Sequence, residues 1–446
     1  MGKRLILVLA LALLVGLTFS AAYAEVQNVK VSGDFIVSGV ARNHFNLENN
    51  TAGDKSVLKQ TFLMSQIRVR IDADLTDNVQ ATVRLINERI WNGQNDHGVA
   101  GHADDNDNTS IDLDLAYVTL KEFLYSPLTL TVGRQEIKFG NGLVIGNAKV
   151  IGTSSSIPTD LTERKAFDAI RATLDYDPLV VDLVYAQVKQ TNSVDRNTVS
   201  LTGINATYAI NKKTDVSAYY WLKRNNNTGI ATSRTDQLST IGALVSTNPI
   251  ENLTASFEAA YQFGKNTETL GQKKHNALAL QAMVDYTFAK VKMAPKIGAS
   301  YTYLSGTKTG ETRNSGWDSM FYDQKLNNIV YALLPFSNMN AFNLKGSMKP
   351  VEDVTVALVY GYYNAAQRDG VGYAFASTYD RGTNYNINGN YTGKAHLGQA
   401  LDATVTYDYT EDVQFGLTGG YFLPGNGITV DSANAQQLIG SMKVIF

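Results

Sequence analysis

Charged residues set in step between hydrophobic ones are the first sign of chemistry in this chain. Ile67, Val69 and Ile71 alternate with Arg68, Arg70 and Asp72. Successive side chains on a strand point to opposite faces, so such charges lie on the face away from the apolar one. The same parity assigns Arg42, Arg84, Arg171, Lys223, Lys296, Lys345 and Lys443 to that polar face. It also assigns Asp74, Glu88, Asp112, Asp114, Asp175, Asp182, Glu258, Asp285, Asp402 and Asp408 to it. Fixed charges lining a water-filled path decide which ions and polar solutes pass. The cations concentrate early in the chain and the acids later. Arg42, Arg68, Arg70, Arg84 and Arg171, with Asp112 and Asp114, are therefore the candidate selectivity residues. A basic wall facing an acidic wall across a constriction is the expected arrangement.

Other chemistry is sparse. There is no Cys, which removes thiolate nucleophiles, thiolate metal sites and disulfides. The five histidines, His44, His97, His102, His275 and His396, form no H-E-x-x-H, and there is no G-x-S-x-G elbow, so an enzyme is not expected. Asp104-Asp105-Asn106-Asp107-Asn108 has oxygen donors for a weak Ca²⁺ site but lacks the glycine of an EF-hand loop. No other cofactor is expected. A formal charge of −2 offers no basic stripe for nucleic acid.

The elements that hold these charges are strands. Lys3 and Arg4 precede an apolar run, Leu5–Phe19, and the small-residue pattern Ala22-Tyr23-Ala24. That is a secretory signal peptide over 1–24, shorter than the roughly 20 apolar residues of a spanning helix. It leaves 25–446 as one domain. From Val29 onward the dominant signal has period two, as in Leu253, Ala255, Phe257, Ala259, Tyr261 and Phe263 against Thr254, Ser256, Glu258, Ala260 and Gln262. The alternation predicts about eighteen strands, including 109–123, 251–263, 276–289 and 293–304.

Short connectors such as Thr76-Asp77-Asn78, Asn211–Thr214 and Thr410-Glu411 alternate with long polar ones such as 92–108, 140–165, 306–337 and 365–395. Short turns at one end and long loops at the other are the plan of a transmembrane antiparallel β-barrel, with the turns on the periplasmic side. A soluble sheet of this size would need a second apolar layer, and no amphipathic helix supplies one. In lipid, closure of the sheet pairs every backbone group. Tyr and Phe near strand ends, among them Tyr220, Tyr261, Phe263, Tyr360 and Tyr407, suit interfacial girdles. The chain stops on Phe446 after Leu438, Gly440, Met442 and Val444 of the same parity. That ending resembles the signal read by the outer-membrane barrel assembly machinery.

Two stretches carry a family resemblance. Val132–Gly146 reads VGRQEIKFGNGLVIG, and Ala166–Tyr176 reads AFDAIRATLDY. Gly133-Arg134-Gln135-Glu136, Gly140-Asn141-Gly142 and Phe167-Asp168-Ala169-Ile170-Arg171 resemble motifs of the alginate-export (AlgE-like) family of outer-membrane barrels. The resemblance implies an 18-stranded monomeric barrel, and the family's founding member passes an anionic polyuronate through an electropositive lumen. Here the inward charges are balanced in sign. Arg134 shares parity with outward Leu128, Leu130 and Val132, so either Gly133 hosts a bulge that re-aims it or it sits at the rim.

Two loops stand out as candidates to enter the barrel. One is 151–163. The other is 306–336, whose Trp317, Phe321, Tyr322, Leu333 and Leu334 favour packing as a plug or lid over exposure to water. The expected function is a passive outer-membrane channel for anionic or saccharide-type solutes. A general diffusion porin and a plugged structural or adhesive barrel are the alternatives.

Overall fold

The computed structural model describes residues 28–45, 47, 59–91, 111–148, 157–190, 198–226, 236–268, 271–308, 310–368, 392–428 and 432–446. The signal segment, the Asp104–Asn108 motif, His97 and His102 lie outside the described residues.

Eighteen strands form one closed antiparallel wall. They are β1 (Asn28–Asn43), β2 (Lys59–Thr76), β3 (Val79–Ile90), β4 (Asp112–Leu120), β5 (Leu128–Gln135), β6 (Phe167–Asp175), β7 (Leu179–Gln190), β8 (Thr198–Asn211), β9 (Thr214–Asn225), β10 (Asp236–Thr247), β11 (Leu253–Glu268), β12 (Gly271–Thr287), β13 (Lys296–Leu304), β15 (Met339–Val351), β16 (Val354–Ala365), β17 (His396–Asp408), β18 (Val413–Pro424) and β19 (Ala435–Ile445). The two-residue β14 (Arg313–Asn314) belongs to a loop and lies parallel on β12. Each strand of the wall pairs with its sequence neighbour, and β1 closes the ring on β19 from Asp34↔Ile445 to Asn43↔Gln436.

The terminal Phe446 sits at that seam. Its N–H donates to the Gly33 carbonyl at 3.1 Å, and its carbonyl accepts from the Gly33 N–H at 2.8 Å. A Cβ on Gly33 would lie 2.6 Å from the Phe446 ring, so glycine makes room for it.

Turn chemistry sets the strand ends. The Asn211 side chain accepts from the Lys213 N–H at 2.9 Å, and Thr410 Oγ1 accepts from the Val413 N–H at 3.0 Å. β4 and β13 are shorter than the alternation predicts. Glu122 and Leu124 turn the chain after Leu120, and Met293 and Ala294 turn it before Lys296, all four at positive φ. β11 and β12 instead run past their apolar stretches into a tall hairpin, because their backbones keep pairing to Glu268↔Gly271.

The distribution of side chains is inverted relative to a water-soluble protein. Phe257, Leu358, Leu401 and Leu417 on the outer face are about half exposed, while Thr302, Gln262 and Asn343 inside are fully buried. Such an outer face suits hydrocarbon, and the closed ladder leaves no backbone edge unpaired there. The interior is not uniformly polar. A large apolar cluster containing Phe45, Leu143, Trp221, Trp317, Phe321, Ile329 and Phe422 occupies part of the lumen, and a smaller one joins Val40, Met64 and Ile157. The large one packs the two loops described next against inward residues of the wall.

Candidate functional site

Two loops, loop A (residues 136–148 and 157–166) and loop B (residues 305–308 and 310–338), fold into the barrel and clasp one another, while 151–156 of the first candidate loop lie outside the described residues. Ile145 and Phe321 form a parallel bridge. The Phe321 N–H donates to the Val144 carbonyl at 3.0 Å, and the Phe321 carbonyl accepts from Gly146 at 2.7 Å and Asn147 at 2.9 Å. Nearby, the Asp323 N–H donates to the Gly142 carbonyl at 2.8 Å. Close approach explains the glycines of the G-N-G turn. Gly142 has φ +72°, and a Cβ there would lie 2.7 Å from the Asp323 carbonyl oxygen. Lys138 at 3.3 Å and Lys165 at 3.0 Å both hold the Asp323 carboxylate.

Loop B carries a short helix, α1 (Asn328–Leu333). Asn327 caps it, its side chain accepting from the Val330 N–H at 3.1 Å. Asp402 on β17 accepts the Asn328 N–H, and Ile329 packs over Gly420 on β18. Further along the loop, Gln262 on β11 clamps the Asp318 backbone, accepting its N–H at 2.9 Å and donating to its carbonyl at 2.8 Å. Lys223 on β9 meets both Asp318 carboxylate oxygens at 2.9 Å. Burial opposes the Asp318 charge, but the Lys223 ammonium, the Met320 N–H and His275 together outweigh it and hold the carboxyl below its ordinary value.

Loop A is stapled to the β1–β3 wall by charge. Arg42 pairs with Asp160, Nη1 to Oδ1 at 3.2 Å, donates to Gln437 at 2.9 Å and lies 4.6 Å over the Phe45 ring. Arg68 reaches Asp34 at 2.9 Å and Glu163 at 3.4 Å. Glu88 accepts from Gln66, Thr162 and the Glu163 N–H at 2.8 Å each, and from Arg164 at 2.9 Å. Arg164 continues to Asp112 at 2.6 Å. Arg84 pairs with Asp114 at 2.5 Å and with Glu136. Arg70 pairs with Asp72 at 2.7 Å, and Arg171 with Asp182 at 2.8 Å. Each named arginine therefore has an acid beside it on its own wall or on loop A, which differs from the basic wall facing an acidic wall. The reason is register. Parity gives the face of a side chain but not its neighbours across the wall or on loop A, and acids directly opposite (Asp34), one step along the same face (Asp72, Asp182) or on loop A (Asp160) neutralise these cations locally. Arg70 and Arg171 keep about a third of their side chains open to the lumen, whereas Arg42 keeps none.

The family-motif residues divide between the two faces. Gln135 is buried and donates to the Ala169 carbonyl at 3.2 Å, and Phe167 packs edge-on to Phe321 at 5.7 Å. Arg134 stays on the outer face, 3.2 Å from Asp168 and one residue from the end of β5. The β4–β5 pairing passes Gly133 without a register shift, so the rim placement is the one realised. Gly133 itself has φ +124°, and a Cβ there would meet the Ala116 carbonyl oxygen at 2.2 Å. Asp160, Arg164, Asp318 and Asp323 carry ion pairs of the candidate site that strand parity did not reach, because they lie on loops. Only the apolar content of loop B signalled its entry. His275 faces Gln262 at 3.3 Å and His396 faces Asn364 at 3.3 Å, each a carboxamide partner.

The alginate export family profile matches residues 36–439. Among curated proteins, none matches the chain. Solved structures share the fold at low identity. OccD3 (OpdP) of Pseudomonas aeruginosa aligns with a TM-score of 0.55 at 11% identity, covering 95% of this chain and 94% of its own. OccAB2 of Acinetobacter baumannii gives 0.56 at 12%, covering 95% and 99%. A BenF-like porin from Pseudomonas fluorescens Pf-5 gives 0.55 at 10%, covering 94% and 100%.

Proposed function

The chain belongs to the alginate export family and is an outer-membrane channel for solute passage; from that premise we propose that it passes anionic or saccharide-type solutes passively, past the constriction made by loops A and B. The observation that carries this reading is the set of paired charges flanking the two loops. Arg70 and Arg171 present partly open guanidinium groups to the lumen, each beside a carboxylate. Such a surface exchanges hydrogen bonds with hydroxyls and carboxylates without trapping them, which a conducting path requires. The test is a planar-bilayer measurement on the purified protein. Stable pores with anion preference, blocked by uronate oligomers, support the reading. Pores without block point to a general diffusion porin.

A second reading is favoured by the apolar cluster inside the barrel, which includes Trp317, Tyr322 and Leu333. A channel held shut by that cluster, or a plugged structural barrel, would show no steady conductance until loop B is displaced. The proposal includes three further points. Phe446 at the seam serves as the signal read by the assembly machinery, the barrel works as a monomer, and no catalytic step accompanies transport. The outer-membrane form is expected to begin at Glu25, which its intact mass would test.

A further inference from the structure

One row of residues on the outer face of the tall β10–β12 region is at odds with a lipid-facing wall. Register places Gln237, Lys265 and Lys274 side by side across three strands, and Arg313 of β14 pairs next to Lys274. Lys265 shares parity with the outward Phe257, Tyr261 and Phe263, so the row points away from the lumen. Lys265, Lys274 and Arg313 are all exposed. Among the described residues none of the three has an ion-pair partner. Like charges directly opposite one another weaken a sheet, so the row carries a cost that a bound anion would relieve.

The row also lines a cavity of about 600 Å³, with Ser239, Phe263 and Asn276 on its membrane side and no carboxylate among its lining residues. That volume lies in the range of roughly 300–1,000 Å³ typical of small-ligand sites. Its height is informative. Ten residues separate Leu253, at the periplasmic turn, from Phe263. At about 3.4 Å per residue and a tilt near 40°, they climb about 26 Å, the height of the apolar band of such barrels. Lys265 and its row stand about 5 Å higher, at the level of the outer-leaflet headgroups. Below them, Tyr261 and Phe263 stack at 6.1 Å, and Tyr220 meets Ser239 at 3.0 Å.

We propose that Lys265, Lys274 and Arg313 form an outward-facing site for the phosphate group of a phosphorylated glycolipid of the outer leaflet. Arg313 offers a planar fork and the lysines point charges to one phosphate, while the acyl chains lie down the Tyr261–Phe263 face. The site is separate from the solute path and independent of which solute is carried.

The test uses the full-length protein in detergent, with bound lipid counted by native mass spectrometry. The probes are a phosphorylated outer-leaflet glycolipid, the same glycolipid after dephosphorylation, and inorganic phosphate alone. The wild-type protein should retain the phosphorylated glycolipid at least tenfold better than the dephosphorylated one. The triple variant Lys265→Gln, Lys274→Gln, Arg313→Gln should lose that preference while keeping its folded, heat-modifiable gel migration. If the triple variant does not fold, the comparison of the two glycolipids on the wild-type protein decides alone. Equal retention of both glycolipids, or an unchanged preference in a folded variant, would overturn the proposal. Phosphate alone competing as well as the lipid would also overturn it, by making this a site for the free anion.

Discussion

Arg42 on β1 and Asp160 on loop A meet inside the barrel, Nη1 to Oδ1 at 3.2 Å, across 118 residues of sequence. Arg42 has no exposed side-chain surface and Asp160 keeps 5%, so the pair is a dry anchor for the loop. Removing one partner of a buried ion pair strands the other charge, a loss of roughly 3–5 kcal/mol in a fully dry site. Asp160→Asn is therefore expected to free loop A from the β1 wall. Single-channel recordings should show higher and noisier conductance than wild type. Identical traces would remove this pair from any role in holding the constriction.

Arg68 and Arg70 are two apart on β2 yet differ in what they hold. Arg70 is the more open and touches only β-wall groups, whereas Arg68 also grips Glu163 of loop A. Arg70→Glu should shift the reversal potential in a salt gradient toward cations with little change in conductance. Arg68→Glu should shift it similarly and also raise current noise, since it sets a carboxylate against Asp34 and Glu163. A reversal potential unmoved by both substitutions would take these residues out of the solute path.

Lys223 and Asp318 give loop B a pH dependence. Burial raises the Asp318 carboxyl, and Lys223 with the Met320 N–H and His275 more than compensates, so its folded value lies below its unfolded one. The stabilisation is then fully present above the ordinary carboxylate range and is lost as pH falls through the lowered folded value. Loop B should stay anchored at neutral and mildly acidic pH and loosen only in stronger acid. Asp318→Asn should already behave at pH 7 as the wild type does in acid. Conductance noise recorded against pH for both proteins checks this, and superimposable profiles would contradict it.

Gly142 holds the clasp between the loops. Alanine there meets the Asp323 carbonyl oxygen at 2.7 Å from a backbone at φ +72°. A strained φ of this kind costs of order 1–3 kcal/mol. Gly142→Ala should leave the barrel folded, because the residue lies outside the wall, but expose loop B to limited proteolysis. Digestion rates equal to wild type would show that the clasp tolerates the side chain.

Much of this architecture is local and was legible residue by residue. Period-two alternation, the short polar connectors and the terminal Phe446 are properties of short windows, and a strand needs nothing distant to decide which face a side chain takes. Strand number, closure and the outward apolar face follow from them. What the two loops do is different in kind. Val144, Gly146, Phe321 and Asp323 carry no periodicity, and their partners lie far away in the chain. The same holds for the acids that neutralise Arg42, Arg68 and Arg84. Parity told that these arginines face inward, but only the register of the closed wall and the entry of loop A told what each one touches. Alternation is decided within a strand, whereas height, pairing and filling are decided by the whole ring at once.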